Sequence, residues 1–151
     1  MSELADRLQA DLVAAMKEHD ELTRSTLRMA IASIKNEQVA GKQARELSDD
    51  DVVAVLTREL KKRKEAATAY SDAGQPQRAE AELAEAAVLE EYLPAQLDDA
   101  EVTELVAGAI AELGVSGPGA MGQVMKAVRP ATAGRVDGGR LAAEVKRQLG
   151  A

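Results

Sequence analysis

The sequence has no Cys, no Trp and no Phe, with only two Tyr and one His. Without Cys there can be no disulfide framework, no thiol nucleophile and no zinc site built on thiolates. A cysteine-free chain also suits a reducing compartment. The near-absence of aromatics excludes RRM and OB-type readers, which stack bases on aromatic platforms. No apolar run approaches the roughly 20 residues of a membrane span. The first residues, Met1-Ser-Glu-Leu-Ala-Asp6, turn acidic at once, unlike a secretory or transit leader. The expected location is the cytoplasm, away from membranes.

What is present is helix-forming. Of 151 residues, 46% are hydrophobic and 30% charged, a composition that folds and stays hydrated. Apolar residues recur at helical spacing. Leu4, Leu8, Leu12 and Met16 mark a first helix over about 2–18. Leu27, Ile31 and Ile34 mark a second over about 21–39. Ser48 with Asp51 three residues on opens a third in a capping-box pattern, running to Ala73-Gly74. Pro76 begins a fourth, with Ala79, Leu83, Ala86, Leu89 and Leu93 on its apolar side. Asp98 with Glu101 opens a fifth, ending at Gly114. Met121, Val124, Met125 and Val128 mark a short sixth, closed by Pro130. Asp137 opens a seventh, with Leu141, Val145 and Leu149. The expectation is an all-α protein without a sheet. Residues 1–93 would form a four-helix unit and 98–151 a three-helix tail, joined by a Leu93–Leu97 linker.

The net charge is −7, but it is segregated. Residues 24–47 carry five basic and two acidic side chains, and residues 115–151 carry six and two. Acid collects in 1–23 and 75–104. On the second helix, Arg24, Arg28 and Lys35 line one side of the apolar stripe. On the third, Arg58, Lys61, Lys62, Arg63 and Lys64 surround the cylinder. Toward the C-terminus stand Lys126, Arg129, Arg135, Arg140, Lys146 and Arg147. Arg135 sits in a Gly-flanked turn that enters a helix. There it can join backbone N–H groups in holding a phosphate, or it can pair with a carboxylate while Asp137 caps the helix.

Other chemistry fails on context. Gly117-Pro-Gly-Ala-Met-Gly122 is followed by no Gly-Lys-Ser/Thr and preceded by no strand, so it reads as a turn into a helix. His19 has no partners for a metal site and reads as a cation near a helix C-terminus. Asp49-Asp-Asp51 suits a helix start better than a calcium loop. No nucleophile–base pair stands out. No catalytic residue, metal or cofactor is expected.

Three stretches resemble the YqeY family of small helical proteins. They are Thr23-Arg-Ser-Thr-Leu-Arg-Met-Ala-Ile-Ala-Ser-Ile-Lys-Asn-Glu37; Leu89-Glu-Glu-Tyr-Leu-Pro94 with Gln96-Leu97; and Met121-Gly-Gln-Val-Met125 continuing through Gly134-Arg-Val-Asp-Gly138 to Val145-Lys146. Lys61-Lys-Arg-Lys-Glu-Ala-Ala-Thr-Ala-Tyr70 fits as well. The family resembles the C-terminal tail of the B subunit of the tRNA-dependent amidotransferase, a carbon–nitrogen ligase that uses glutamine as amide donor. The resemblance implies a non-catalytic module that contacts tRNA through its tail. On the tail, the positions it points to are the Met121–Met125 helix, Gly134, Arg135, Asp137 and Gly138; the basic residues read above supply the candidate phosphate contacts, Arg28, Lys35, Lys126, Arg129, Arg135, Arg140 and Lys146. Gly134 and Gly138 would permit the turn, and Asp137 would cap. Residues 131–133, Ala-Thr-Ala, depart from the more basic stretch expected there. Two other readings follow from the same likeness. One is an adaptor for an aminoacyl-tRNA synthetase or amidotransferase, using Met121, Met125 and Val128 as contacts. The other is a component of the ligase itself.

Overall fold

In a computed structural model, which describes residues 2–150, every regular element is helical. The helices are α1 (Glu3–Lys17), α2 (Glu21–Gln38), α3 (Asp49–Asp72), α4 (Pro76–Glu90), α5 (Asp99–Leu113), α6 (Met121–Thr132) and α7 (Gly138–Gln148), with a single 3-10 turn at Pro118–Ala120 before α6. Among the described residues no single helix is long and apolar enough to cross a membrane. The chain divides into two compact units, Met1–Pro94 and Ala95–Ala151.

Helix starts follow the sequence closely because they depend on one residue each. The side chains of Ser2, Asp20, Ser48, Asp98 and Asp137 each accept the backbone N–H three residues on. This satisfies a donor that the first helical turn leaves open. Ser48 and Asp51 complete the reciprocal capping box. Ser2 is also tied by its hydroxyl to the Asp49 carboxylate, which joins the starts of α1 and α3.

The first unit buries Leu8, Leu27, Ile31, Ile34, Val52, Leu56, Leu60 and Leu89 in one cluster. Tyr92 seals its edge. The phenol donates to Asp11 Oδ2 at 2.6 Å, and the Arg7 guanidinium lies 4.6 Å from the ring centre. Burial, then the bond to Asp11, pushes the Tyr92 hydroxyl well above its ordinary range. The second unit packs Val102, Val106, Val124, Val128, Leu141 and Val145. Met125 is buried with them and Met121 packs against them, so these methionines and Val128 are core rather than docking residues.

Three expectations need correction. First, α6 does not stop at Pro130 but continues to Thr132 with the proline inside. Pro130 falls in the last turn, where its missing N–H costs one bond. The Thr132 hydroxyl donates to the Val128 carbonyl at 2.9 Å, and the Arg135 N–H donates to the Thr132 carbonyl. Second, Leu83 and Met16 lie on their helices' apolar stripes yet are 51% and 44% exposed. Neither stripe is covered along its full length. Third, residues 95–97 are no free linker, since they are hydrogen-bonded into the second unit.

Among the described residues of the first unit, one pair of charged side chains is buried. Arg63 and Glu59, four residues apart on α3, are both buried. Arg63 Nη1 donates to Glu59 Oε2 at 3.4 Å, and Ser33 donates to Glu59 Oε1 at 2.9 Å from α2. Arg63 Nε lies 3.3 Å from Glu85 of α4, an ion pair without hydrogen-bond alignment. This polar knot joins α2, α3 and α4 inside an aliphatic core.

Two stability changes follow. Glu59→Ala leaves the Arg63 cation buried with Glu85 alone, so unfolding in urea should show a loss of about 3 kcal/mol. An unchanged midpoint would mean that the knot is solvated. His19, between α1 and α2, has φ 56°, the only left-handed non-glycine residue among those described. His19→Gly should raise stability by about 0.5 kcal/mol, the relief of that backbone less the entropy of glycine. A lower urea midpoint would show that the side chain makes a compensating contact.

Candidate functional site

Most of the basic side chains are engaged in holding helices. On α3 all five are paired: Arg58 with Glu37, Lys61 with Glu65, Lys62 with Glu59, Arg63 with Glu59 and Glu85, and Lys64 with Glu90. The run that surrounds this helix is therefore a set of clasps to α2, to α4 and along α3 itself. Arg24 likewise pairs with Glu21 on the exposed first turn of α2.

Arg28 and Lys35 are two turns apart on α2, on one side and exposed. Arg28 donates to the Met16 sulfur at 3.9 Å and forms no ion pair among the described residues. Lys35 stands at the rim of a cavity of about 450 Å³ floored by Ile31, Ile34, Leu47 and Val52. Asp6 and Glu46 line the same cavity, so positive potential is diluted there.

In the second unit the charges are sorted by element. Five of the seven acidic residues in 95–151 lie between Asp98 and Glu112, on α5 and its cap. Helix α6 has none. Its two cations, Lys126 and Arg129, are one turn apart, exposed, on the side away from buried Val124 and Val128. Neither forms an ion pair among the described residues. Lys146 on α7 is also exposed and unpaired in that sense.

Arg140 and Arg147 are held by their own helix. Glu144, 3% exposed, accepts Arg147 Nη2 at 2.6 Å, Arg147 Nε at 3.0 Å, Arg140 Nη1 at 3.4 Å and Gln148 Nε2 at 2.9 Å. Arg140 Nε also reaches Asp99 of α5 at 3.1 Å. The hydrogen bond from Arg147, then that from Gln148, holds the Glu144 carboxyl well below the usual carboxylate range. Sequence reasoning missed Glu144. The spacing Arg140, Glu144, Arg147, Gln148 was the available signal, because those positions share a face.

Asp137 caps α7 through the Arg140 N–H at 3.0 Å. Gly134 has φ 72°, which a side chain would strain, whereas Gly138 is ordinary helix and its conformation requires no glycine. Among the described residues Arg135 pairs with no carboxylate. Its Nε donates to the Ala95 carbonyl at 3.0 Å and its Nη1 to the Ala131 carbonyl at 3.3 Å. Among the described residues no group of three or more His, Asp or Glu side chains converges as a metal site would require.

These features define a small helical protein whose unpaired cations face outward from short helices. The profile of the YqeY-like protein family matches residues 5–149, and the chain belongs to that family. Among curated proteins none matches it.

The Glu144 network carries a pH signature. Because its folded carboxyl is depressed, Glu144 adds stability at neutral pH that begins to disappear below about pH 5 and is lost as pH falls through the folded value. The urea midpoint of the intact chain should therefore drop more between pH 7 and pH 3 than that of Glu144→Gln, which cannot titrate. Equal drops would show that the network adds no stability at pH 7 for acid to remove.

Proposed function

We propose that this chain is a non-catalytic accessory module that binds tRNA, with α6 of the second unit as the main phosphate-contacting element. The observation that carries the reading is that α6 holds Lys126 and Arg129 exposed on one side and no acidic residue at all. Lys146 adds a third outward cation on α7. Arg28 and Lys35 are secondary candidates, on a separate unit. Such a surface recognises the phosphate backbone and the shape of a folded RNA rather than stacked bases, as an aromatic-poor protein must. The family likeness to the tail of an amidotransferase subunit points to tRNA among RNAs. Arg140 and Arg135 take supporting parts in this reading, because their guanidiniums are already bonded.

A second reading, an adaptor for a synthetase or amidotransferase, draws support from Met16, Met29 and Leu83 of the first unit, each 44–51% exposed. Its binding to a protein partner would resist salt, because buried apolar contact carries it.

The deciding measurement is binding of the intact chain to total tRNA across a range of salt. Binding should weaken steeply with salt. Lys126→Ala and Arg129→Ala should each lower the logarithmic salt slope by about one unit. No binding at low salt would overturn the tRNA reading.

A further inference from the structure

We infer that Arg135 is a positioning residue that fixes the basic surface without touching RNA, and that the segment 95–97 is its counterpart. The inference rests on the tRNA reading above for its functional consequence, but not for its geometry.

Three hydrogen bonds join two short segments of the second unit, 95–97 and 134–135, and two more are made by Arg135 to the end of α6. Arg135 Nε donates to the Ala95 carbonyl at 3.0 Å, and the Leu97 N–H donates to the Arg135 carbonyl at 2.8 Å. Gln96 Nε2 donates to the Gly134 carbonyl at 2.7 Å. The other two close the end of α6: Arg135 Nη1 to the Ala131 carbonyl at 3.3 Å, and the Arg135 N–H to the Thr132 carbonyl at 2.9 Å. One planar guanidinium thus bridges a strap and a helix C-terminus. The positive charge also suits the negative end of the α6 dipole.

The consequence is directional. Between α6 and α7 the chain turns through Gly134 in a left-handed conformation. The Arg135–Gln96 clamp holds that turn from outside. The turn in turn sets how Lys126 and Arg129 on α6 stand relative to Lys146 on α7. Phosphates in a folded RNA have fixed spacing, so affinity depends on that angle as well as on the charges. A guanidinium whose Nε and Nη1 are committed to carbonyls is a poor phosphate fork. Lysine carries the same charge on one flexible point and cannot reproduce a bond from each end of a planar fork.

The test compares Arg135→Lys, Arg135→Ala and Gln96→Ala with Arg129→Ala in the intact chain. Total tRNA is the probe, across salt, with amide hydrogen exchange of the free protein alongside. Each clamp variant should bind about three- to tenfold more weakly with the salt slope unchanged. Uncharged Gln96→Ala should behave like charge-preserving Arg135→Lys. Arg129→Ala should lower the slope. The Leu97 amide should exchange faster in Arg135→Lys. If Arg135→Lys binds like the wild type while Arg135→Ala loses about one unit of slope, Arg135 is a phosphate contact and the inference fails. Unchanged Leu97 exchange in Arg135→Lys overturns it as well. If the wild-type chain binds no tRNA, the functional reading falls, and the exchange result alone decides whether the clamp exists.

Discussion

With 26 acidic and 19 basic side chains, a cation here stays unpaired only where the fold keeps carboxylates out of reach. That constraint organises both units. On α3 a cluster of five cations looks like a binding surface in sequence, but α2, α4 and α3 itself bring a carboxylate to each. On α7, one buried glutamate engages both arginines. Helix α6 escapes because its acidic neighbours were placed elsewhere: α5 and its cap hold most of them. Overall charge therefore says little about where this protein can meet an anion. The distribution of carboxylates says more, since an exposed cation a few ångströms from a carboxylate offers little net potential.

The same pairs explain how short helices without large aromatic anchors stay in register. A core of Leu, Val, Ile and Ala packs well but is forgiving of sliding, because aliphatic surfaces of similar size interchange easily. Polar ties at fixed points remove that freedom. In the first unit the Arg63–Glu59 pair reaches Ser33 on α2 and Glu85 on α4. In the second, Gln148 of α7 donates to the Thr103 carbonyl of α5 at 2.9 Å, and Arg140 reaches Asp99. Each tie crosses between helices whose apolar faces alone would leave the offset weakly determined.

How much of this was legible depended on how local the cause was. Ser48, Asp98 and Asp137 announce their helices because a cap is a three-residue event. The apolar stripes locate the cores, yet they do not say that Leu83 and Met16 stay uncovered, because that depends on where neighbouring helices end. Pro130 misleads for a similar reason: its penalty depends on its distance from the helix end, which Thr132 and Arg135 set. The Gly-flanked turn marks Arg135 in the sequence. Its actual acceptors, the carbonyls of Ala95 and Ala131, could not be seen in advance, because any residue offers a carbonyl. Glu144 lay within reach of helical spacing alone.

Under the tRNA reading, the small number of outward cations limits the mode of binding. Under that reading the three outward cations Lys126, Arg129 and Lys146 would release about as many counterions, so affinity from the second unit would be modest and would fall quickly toward physiological salt. Tight binding by such a surface requires either good shape complementarity, with its cations held at fixed spacing, or a tether to another module. Tethering raises the local concentration of the second contact into the millimolar range, which turns a weak surface into a useful one without new residues. Under the tRNA reading, then, rigidity and company are alternatives to charge. The clamp at Arg135 supplies the first, and the exposed Met16, Met29 and Leu83 of the other unit leave room for the second.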